Sequence, residues 1–204
     1  MLLKVYQENP APRHIRQIIQ VLNDGGVIIF PTDTVYAIGC SLFQKKALNR
    51  IEQIKGTKKE KKNYSILINN LSMLAEYTKP FDNHIFRLIR KNLPGPFTFI
   101  LNANGNVPKI FQSKKKTIGI RMPDNNIVNS IIEELGHPLL ATSLKDEDEV
   151  VEYTTDPELI YERYKDKVDL VVDGGYGDNE ASTVVDCTSG IPEIIRQGKG
   201  ILLE

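Results

Sequence analysis

Cysteine is nearly missing: Cys40 and Cys187 are the only two among 204 residues. That excludes a disulfide scaffold and an all-cysteine zinc shell, and it fits a reducing compartment. No apolar run approaches the roughly 18 residues of a membrane span. The start, MLLKVYQENP, lacks the basic region, apolar stretch and small-residue cleavage site of a secretory signal. The reading is therefore a soluble cytoplasmic protein. Excess charge is missing as well: 26 Lys and Arg balance 26 Asp and Glu. This argues against a generally basic nucleic-acid coat while leaving room for local clusters. No RNP pattern and no GxxxxGK(S/T) loop occurs, so any use of ATP needs another scaffold. His14, His84 and His137 have no metal-site spacing, and no metal site is expected. Neither serine nor cysteine has a base and an orienting group at an informative distance, which gives a covalent triad no support.

What is present is an alternation of helical and strand-like segments. Ile15, Ile18, Ile19 and Leu22 return to one face and predict a helix over Pro12 to Asn23, ended by Gly25-Gly26. The strongest strand signal follows in VIIF. Further helices are read over KKALNRIEQIK, NHIFRLIRK, NNIVNSIIEEL and DPELIYERY. Strands are read over YSILI, FTFIL, TIGIR, PLLATS, VDLVVDGG, STVVD and PEIIRQ. Short strands with helical connections predict an α/β protein, and the strand-rich C-terminal third predicts a mixed sheet. No composition shift cuts the chain, so residues 1–204 are read as one domain.

The candidate chemistry lies where strands end. In IIFPTDTVYAIGC, Pro31 has no N–H and ends the ladder, so Thr32, Asp33 and Thr34 leave the sheet with two hydroxyls and a carboxylate. Strand ends of open α/β sheets are common ligand sites; a simple Asx or Ser/Thr turn with Tyr36 packed beside it is the alternative. LPGPFTFIL places Thr98 at a strand start. TIGIRMP suggests close backbone approach at Gly119 and puts Arg121 at the strand exit, where a guanidinium can clamp a carboxylate or phosphate. Lys55, Lys58, Lys59, Lys61 and Lys62, then Lys114, Lys115 and Lys116, form basic runs that attract phosphate or RNA if they share a face; otherwise they are solvated loops. LLATSLKDEDE changes sign after Ser143 and Lys145, and its Asp146 to Glu149 run reads either as a Mg²⁺ holder or as a charged loop. Ser182 and Thr183 offer hydroxyls, and Arg196 leaves the last strand.

In order along the chain, PTDTVYAIGC, PGPFTFIL, TIGIRMP, LLATS, STVVDCT and IIRQG resemble the threonylcarbamoyl-AMP synthase superfamily, the YrdC/YciO-like proteins, over about residues 11–200. The resemblance implies a single-domain twisted mixed sheet with flanking helices, the YrdC/RibB-like fold, around a concave positively charged cavity. It implies conversion of L-threonine, bicarbonate and ATP to threonylcarbamoyl-AMP and pyrophosphate, with Mg²⁺ accompanying ATP, for N6-threonylcarbamoylation of adenosine in tRNA. Thr32, Thr34 and Tyr36 would form the threonine side, Thr98 would shape the pocket, and Arg121 would engage threonine carboxylate or nucleotide phosphate. Lys55, Ser143, Ser182 and Arg196 would serve the nucleotide. Two segments depart from the synthase pattern. Lys55 stands for the first basic residue of a Lys-x-Arg-Pro segment, but Thr57 and Lys58 replace the arginine and proline. Ser143 is kept from Ser-Ala-Asn-x-Ser, but Lys145 replaces the asparagine and acidic residues replace the second serine. Both departures are closer to the YciO-like branch. The competing readings are a nucleotide-dependent enzyme with another small substrate and a double-stranded RNA or tRNA-binding protein without turnover.

Overall fold

The computed structural model describes residues 1–56, 64–109, 116–144 and 152–203, with side chains described from residue 154 in the last segment. Ten strands form one sheet: β1 (Leu2–Lys4), β2 (Ile28–Phe30), β3 (Ala37–Ser41), β4 (Ser65–Leu67), β5 (Phe97–Asn102), β6 (Thr117–Arg121), β7 (Leu139–Ser143), β8 (Leu170–Asp173), β9 (Thr183–Asp186) and β10 (Glu193–Arg196). Their spatial order is β1-β8-β2-β3-β7-β4-β6-β5-β9-β10. Pairs β1–β8, β2–β8, β4–β6 and β5–β9 are parallel, and the other five are antiparallel. The expected mixed α/β sheet is therefore what forms.

The helices are α1 (Pro12–Asn23), α2 (Lys45–Lys55), α3 (Ser72–Tyr77), α4 (Asn83–Asn92), α5 (Asn126–Leu135), α6 (Glu152–Thr155) and α7 (Pro157–Tyr164). They cover the two faces of the sheet unequally. On one face, Ala47, Leu48 and Ile51 of α2, Leu74 of α3, Ile85 and Ile89 of α4 and Ile160 of α7 pack on Ile29, Ile38, Ile66, Phe99, Ile120 and Leu140. On the other, α1 brings Ile15, Ile18 and Leu22, and α5 brings Ile127, Val128, Ile131 and Ile132, onto Ile28, Phe30, Leu67, Leu139 and Leu170. Each such fully buried aliphatic side chain is worth about 1.5–3 kcal/mol. No residue of β5, β6, β9 or β10 belongs to this second cluster.

Side chains alternate across a strand, so the consequence can be read strand by strand. Phe97, Phe99 and Leu101 enter the first core, as do Ile118, Ile120 and Val185. Their alternates, among them Thr98, Gly119, Arg121, Ser182 and Val184, face a region that no described helix fills. A concave surface is left there.

Two local features fix this arrangement. Asn125 is buried at the N-terminus of α5, and its side-chain oxygen accepts from the N–H groups of Ile127 at 3.0 Å and Val128 at 3.1 Å; such a cap contributes about 1 kcal/mol. It holds the helix directly after the exit of β6. In β3, a Cβ built on Gly39 would lie 2.5 Å from the Leu140 carbonyl oxygen and 3.0 Å from the Phe30 ring. Only hydrogen fits against that backbone. Gly39→Ala is expected to cost about 1–3 kcal/mol through overpacking, read as a lower urea midpoint; an unchanged midpoint would contradict the close approach.

Candidate functional site

The uncovered half of the sheet forms the floor of a cavity of about 410 Å³. That size is within the usual range for small-ligand pockets. Thr98, Ile100, Thr117, Gly119, Ser65 and Val184 line the floor, while Lys55, Arg121 and Arg196 reach it from three different elements. Among its described lining residues there is no aspartate or glutamate. Three cations thus meet hydroxyls and a few apolar atoms, with no carboxylate among the described lining residues.

Arg121 is the most constrained of the three. Its side chain is 7% exposed and forms an ion pair with Asp33 at 2.9 Å. The same Nη2 donates to the Thr34 hydroxyl at 3.0 Å. Burial pulls the guanidinium below its ordinary pKa, Asp33 pushes it back up, and nearby Arg196 adds repulsion. Its Nε is buried and has no hydrogen-bond partner. A buried donor left unmade costs free energy that a bound acceptor recovers.

The Pro31–Tyr36 segment acts as a strap around this guanidinium. Thr32 Oγ1 donates to the Val35 carbonyl at 2.8 Å and accepts from the Thr34 N–H at 3.1 Å. The hydroxyls of Thr32 and Thr34 are 3.1 Å apart. The Thr32 proton is committed to Val35, so Thr34 donates to Thr32 and presents its lone pairs to Arg121. The second Asp33 oxygen accepts from the Asp124 N–H at 3.2 Å.

At the opposite end, Arg196 donates to the Ser182 carbonyl, from Nη2 at 2.6 Å and from Nε at 3.2 Å. Ser182 Oγ lies 2.8 Å from Thr98 Oγ1, so β10, β9 and β5 are tied by one polar chain. Gly198 permits it: a Cβ there would meet the Ala181 carbonyl and the Ser182 backbone. Lys55, half-buried at the end of α2, donates to the Ser143 carbonyl at the end of β7.

Of the expected site residues, the fold therefore brings Lys55, Thr98, Arg121, Ser143, Ser182 and Arg196 to one cavity. Thr32 and Thr34 do not line it. With Asp33 they face an open cleft of about 860 Å³ on the outer side of the strap, and Thr34 reaches the cavity only through Arg121. Tyr36 lines neither space. It is fully buried; its hydroxyl donates to the Gly175 carbonyl at 2.7 Å and accepts from the Gly174 N–H at 3.2 Å. Burial raises its pKa, so it is a neutral brace for the loop after β8. In this structure Tyr36 stands behind the strap, expected as the threonine side, and braces it from the core. Ser65, Thr117 and Thr142 were missed as lining residues; the alternation in YSILI and TIGIR carried the signal for the first two. Lys58, Lys59, Lys61, Lys62, Lys114, Lys115 and the Lys145–Glu149 run lie outside the described residues. Among the described residues no group of three His, Cys, Asp or Glu could hold a metal ion, and no helix is long and apolar enough to cross a membrane.

The comparisons with known proteins agree with this geometry. The Sua5/YciO/YrdC family model, described as "Telomere recombination", matches residues 20–198. The chain belongs to this family. It is 40% identical to the YciO protein of Escherichia coli K12 over 198 residues, covering 96% of this chain and 94% of that one. The crystal structure of Escherichia coli YciO superposes with a TM-score of 0.91, covering 98% of this chain and 97% of that one. A threonylcarbamoyl-AMP synthase of Nitrosococcus oceani is 30% identical over 129 residues, 63% of this chain and 69% of that one. Pyrococcus abyssi Sua5 complexed with L-threonine is 25% identical with a TM-score of 0.85, covering 97% of this chain and 57% of that one.

Nucleophilic thiol chemistry has no place in the site. Burial pushes both Cys40 and Cys187 up to about 12, with Asp186 adding to the second. At pH 8 the thiolate fraction is on the order of 10⁻⁴ for such a thiol. Iodoacetamide at pH 8 should therefore modify the folded protein at least about 100-fold more slowly than the urea-unfolded chain; equal rates would refute the burial. The folded values exceed the unfolded ones, so this contribution to stability is complete below about pH 8.5 and is lost as the pH rises towards 12.

Proposed function

We propose that the chain is an ATP-dependent threonylcarbamoyl-AMP synthase-like enzyme, acting on L-threonine, bicarbonate and ATP and feeding N6-threonylcarbamoyladenosine formation in tRNA. The single observation that carries this reading is the convergence of Lys55, Arg121 and Arg196 on a cavity whose described lining holds no carboxylate. Membership of a family containing threonylcarbamoyl-AMP synthases supports the choice of reaction.

In that reaction the threonine amine and bicarbonate give a carbamate and water. A carbamate oxygen then forms a bond to the α-phosphorus of ATP, and the bond to the bridging oxygen breaks to release pyrophosphate. The described lining contains no imidazole or carboxylate to act as a general base. The protein's contribution is alignment and electrostatic stabilisation of the charge that develops on the phosphate oxygens. Arg121 Nε supplies a desolvated donor to a carboxylate or phosphate oxygen. Arg196, Ser182 and Thr98 form a second polar wall, and Lys55 approaches from α2.

Mg²⁺ accompanying ATP finds no carboxylate ligand among the described lining residues. Thr98, Ser143 and Ser182 offer hydroxyls but no carboxylate oxygen, which is the usual protein ligand of that ion. Phosphate and water would hold it.

The test is adenylate formation followed by direct mass detection, omitting threonine, bicarbonate and ATP in turn. Product and pyrophosphate that require all three support the reading. No product from folded protein supplied with Mg²⁺ would overturn it, and saturable, salt-dependent tRNA binding without turnover would favour an RNA-binding role instead. Arg121→Ala should lower kcat/KM by about 10²–10³-fold with folding retained. Arg121→Lys should fail to restore it, because an ammonium cannot reproduce the planar fork between Asp33, Thr34 and the ligand. Unchanged kinetics in Arg121→Ala would contradict the role.

A further inference from the structure

We propose that Lys199, which lies outside the cavity, is a positioning residue that sets the Arg121 guanidinium through the strap. Both hydrogen-bond acceptors of Arg121, the Asp33 carboxylate and the Thr34 hydroxyl, belong to the strap, and both take the same Nη2. Any displacement of Asp33–Thr34 therefore moves the guanidinium and redirects its unpartnered Nε. The strap lies between β2 and β3, where Pro31 and the turn at Thr32 take it out of the ladder.

Its backbone is fixed from the opposite, solvent-facing side. Lys199 Nζ donates to the Asp33 carbonyl at 2.9 Å and forms an ion pair with Asp178 at 2.7 Å. The Asp178 N–H donates to the Thr34 carbonyl at 3.2 Å. One lysine–aspartate pair thus grips two successive carbonyls, belonging to the same two residues whose side chains hold Arg121. The Lys199 ammonium holds the Asp178 carboxyl below its ordinary pKa, as expected of a formed pair. Lys199 is itself anchored, its N–H donating to the Ala181 carbonyl beside Ser182. Asp178 is anchored by the loop that Tyr36 braces, since the Gly177 N–H donates to the Thr155 carbonyl. Lys199, Asp178, Asp33 and Thr34 all line the outer cleft, whereas Arg121 lines the cavity. The strap is the wall between them.

A bridge this exposed adds little to global stability. Its effect is local, on a side chain whose angular placement decides whether Nε meets a ligand oxygen. The charges of the pair allow this effect to be separated from a field effect. Lys199→Met removes a positive charge and Asp178→Asn a negative one. If the pair acted on an anionic ligand only through its field, the two substitutions would shift affinity in opposite directions. If it positions Arg121, both weaken binding.

The inference rests on the anion-binding reading of the cavity, and its test is arranged to separate the two. The first readout needs no ligand: the Nε–Hε signal of Arg121 in nitrogen-edited NMR, assigned by its loss in Arg121→Lys. Both Lys199→Met and Asp178→Asn should shift this signal and speed its exchange with water by about tenfold, with Lys199→Arg restoring it. An unchanged signal in both variants overturns the proposal. The second readout is inorganic pyrophosphate binding by calorimetry. Both variants should bind on the order of tenfold more weakly. That loss should disappear in an Arg121→Ala background, since residues acting through one another are not additive. Opposite shifts in the two variants, or a loss that persists without Arg121, overturn positioning. No pyrophosphate binding by the wild type, with the NMR effect intact, counts against the function of the cavity and leaves the positioning of Arg121 upheld.

Discussion

A guanidinium buried beneath a polar strap is the constraint on which the rest of the site depends. Arg121 is at the exit of β6 and Asp33 and Thr34 are in the connection between β2 and β3, so their contact ties together strands separated by β3, β7 and β4 in the sheet. Removing such a charge from water is costly, and one carboxylate with one hydroxyl restores only part of its hydration. The remainder is visible as the unpartnered Nε and as the downward pull of burial on the guanidinium. A group held in that condition is already desolvated and already oriented. An incoming oxygen acceptor therefore meets little of the reorganisation that a solvent-exposed arginine would demand.

The cavity exists because the two faces of the sheet have different helical cover. Four helices supply the first core, and two supply the second. Once α1 and α5 have covered the strands from β8 to β4, the strands beyond would expose apolar side chains if they were apolar on both faces. Instead their open face carries hydroxyls, a glycine and Arg121 beside only a few apolar side chains, Ile100 and Val184 among them. Gly119 deepens this floor: a Cβ there would lie 2.6 Å from Ser65 Oγ and 3.0 Å from Thr98 Cγ2. The same alternation that buries Phe99 and Ile120 beneath the sheet places Thr98 and Gly119 on its upper side. Core packing and site composition are two faces of one pattern.

That pattern explains what was legible in the sequence. Helices α1, α2 and α5 are amphipathic and could be read from their spacing, with Gly136 ending α5 in the left-handed conformation expected of a C-terminal glycine. Strands β6 and β9 were legible as β-branched runs. Strand β3 was not, because AIGCS is small-residued and buried at every position, which leaves no alternation and no β-branched run to read. For the site, residue type and strand-end position were enough to find Arg121, Ser182 and Arg196. The side of the sheet was harder. Tyr36 and Thr34 are two residues apart, yet the first is a brace in the core and the second reaches Arg121. Lys199 acts on Asp33 across 166 residues of sequence, and no local signal marks that contact.

The same long-range logic bears on the two segments that separate this chain from the synthase pattern. In sequence they are independent: one follows Lys55 and the other follows Ser143. In the fold they begin together, because Lys55 Nζ donates to the Ser143 carbonyl across 88 residues. Helix α2 ends there with Gly56 in the left-handed conformation, and β7 ends there with the Leu144 N–H donating to the Tyr36 carbonyl. Lys55 and Ser143, the described residues from which the two segments depart, therefore meet at one corner of the cavity, and that corner is tied to the end of the strap through Tyr36. What is one contact in the fold is thus two separate stretches in the sequence, 88 residues apart.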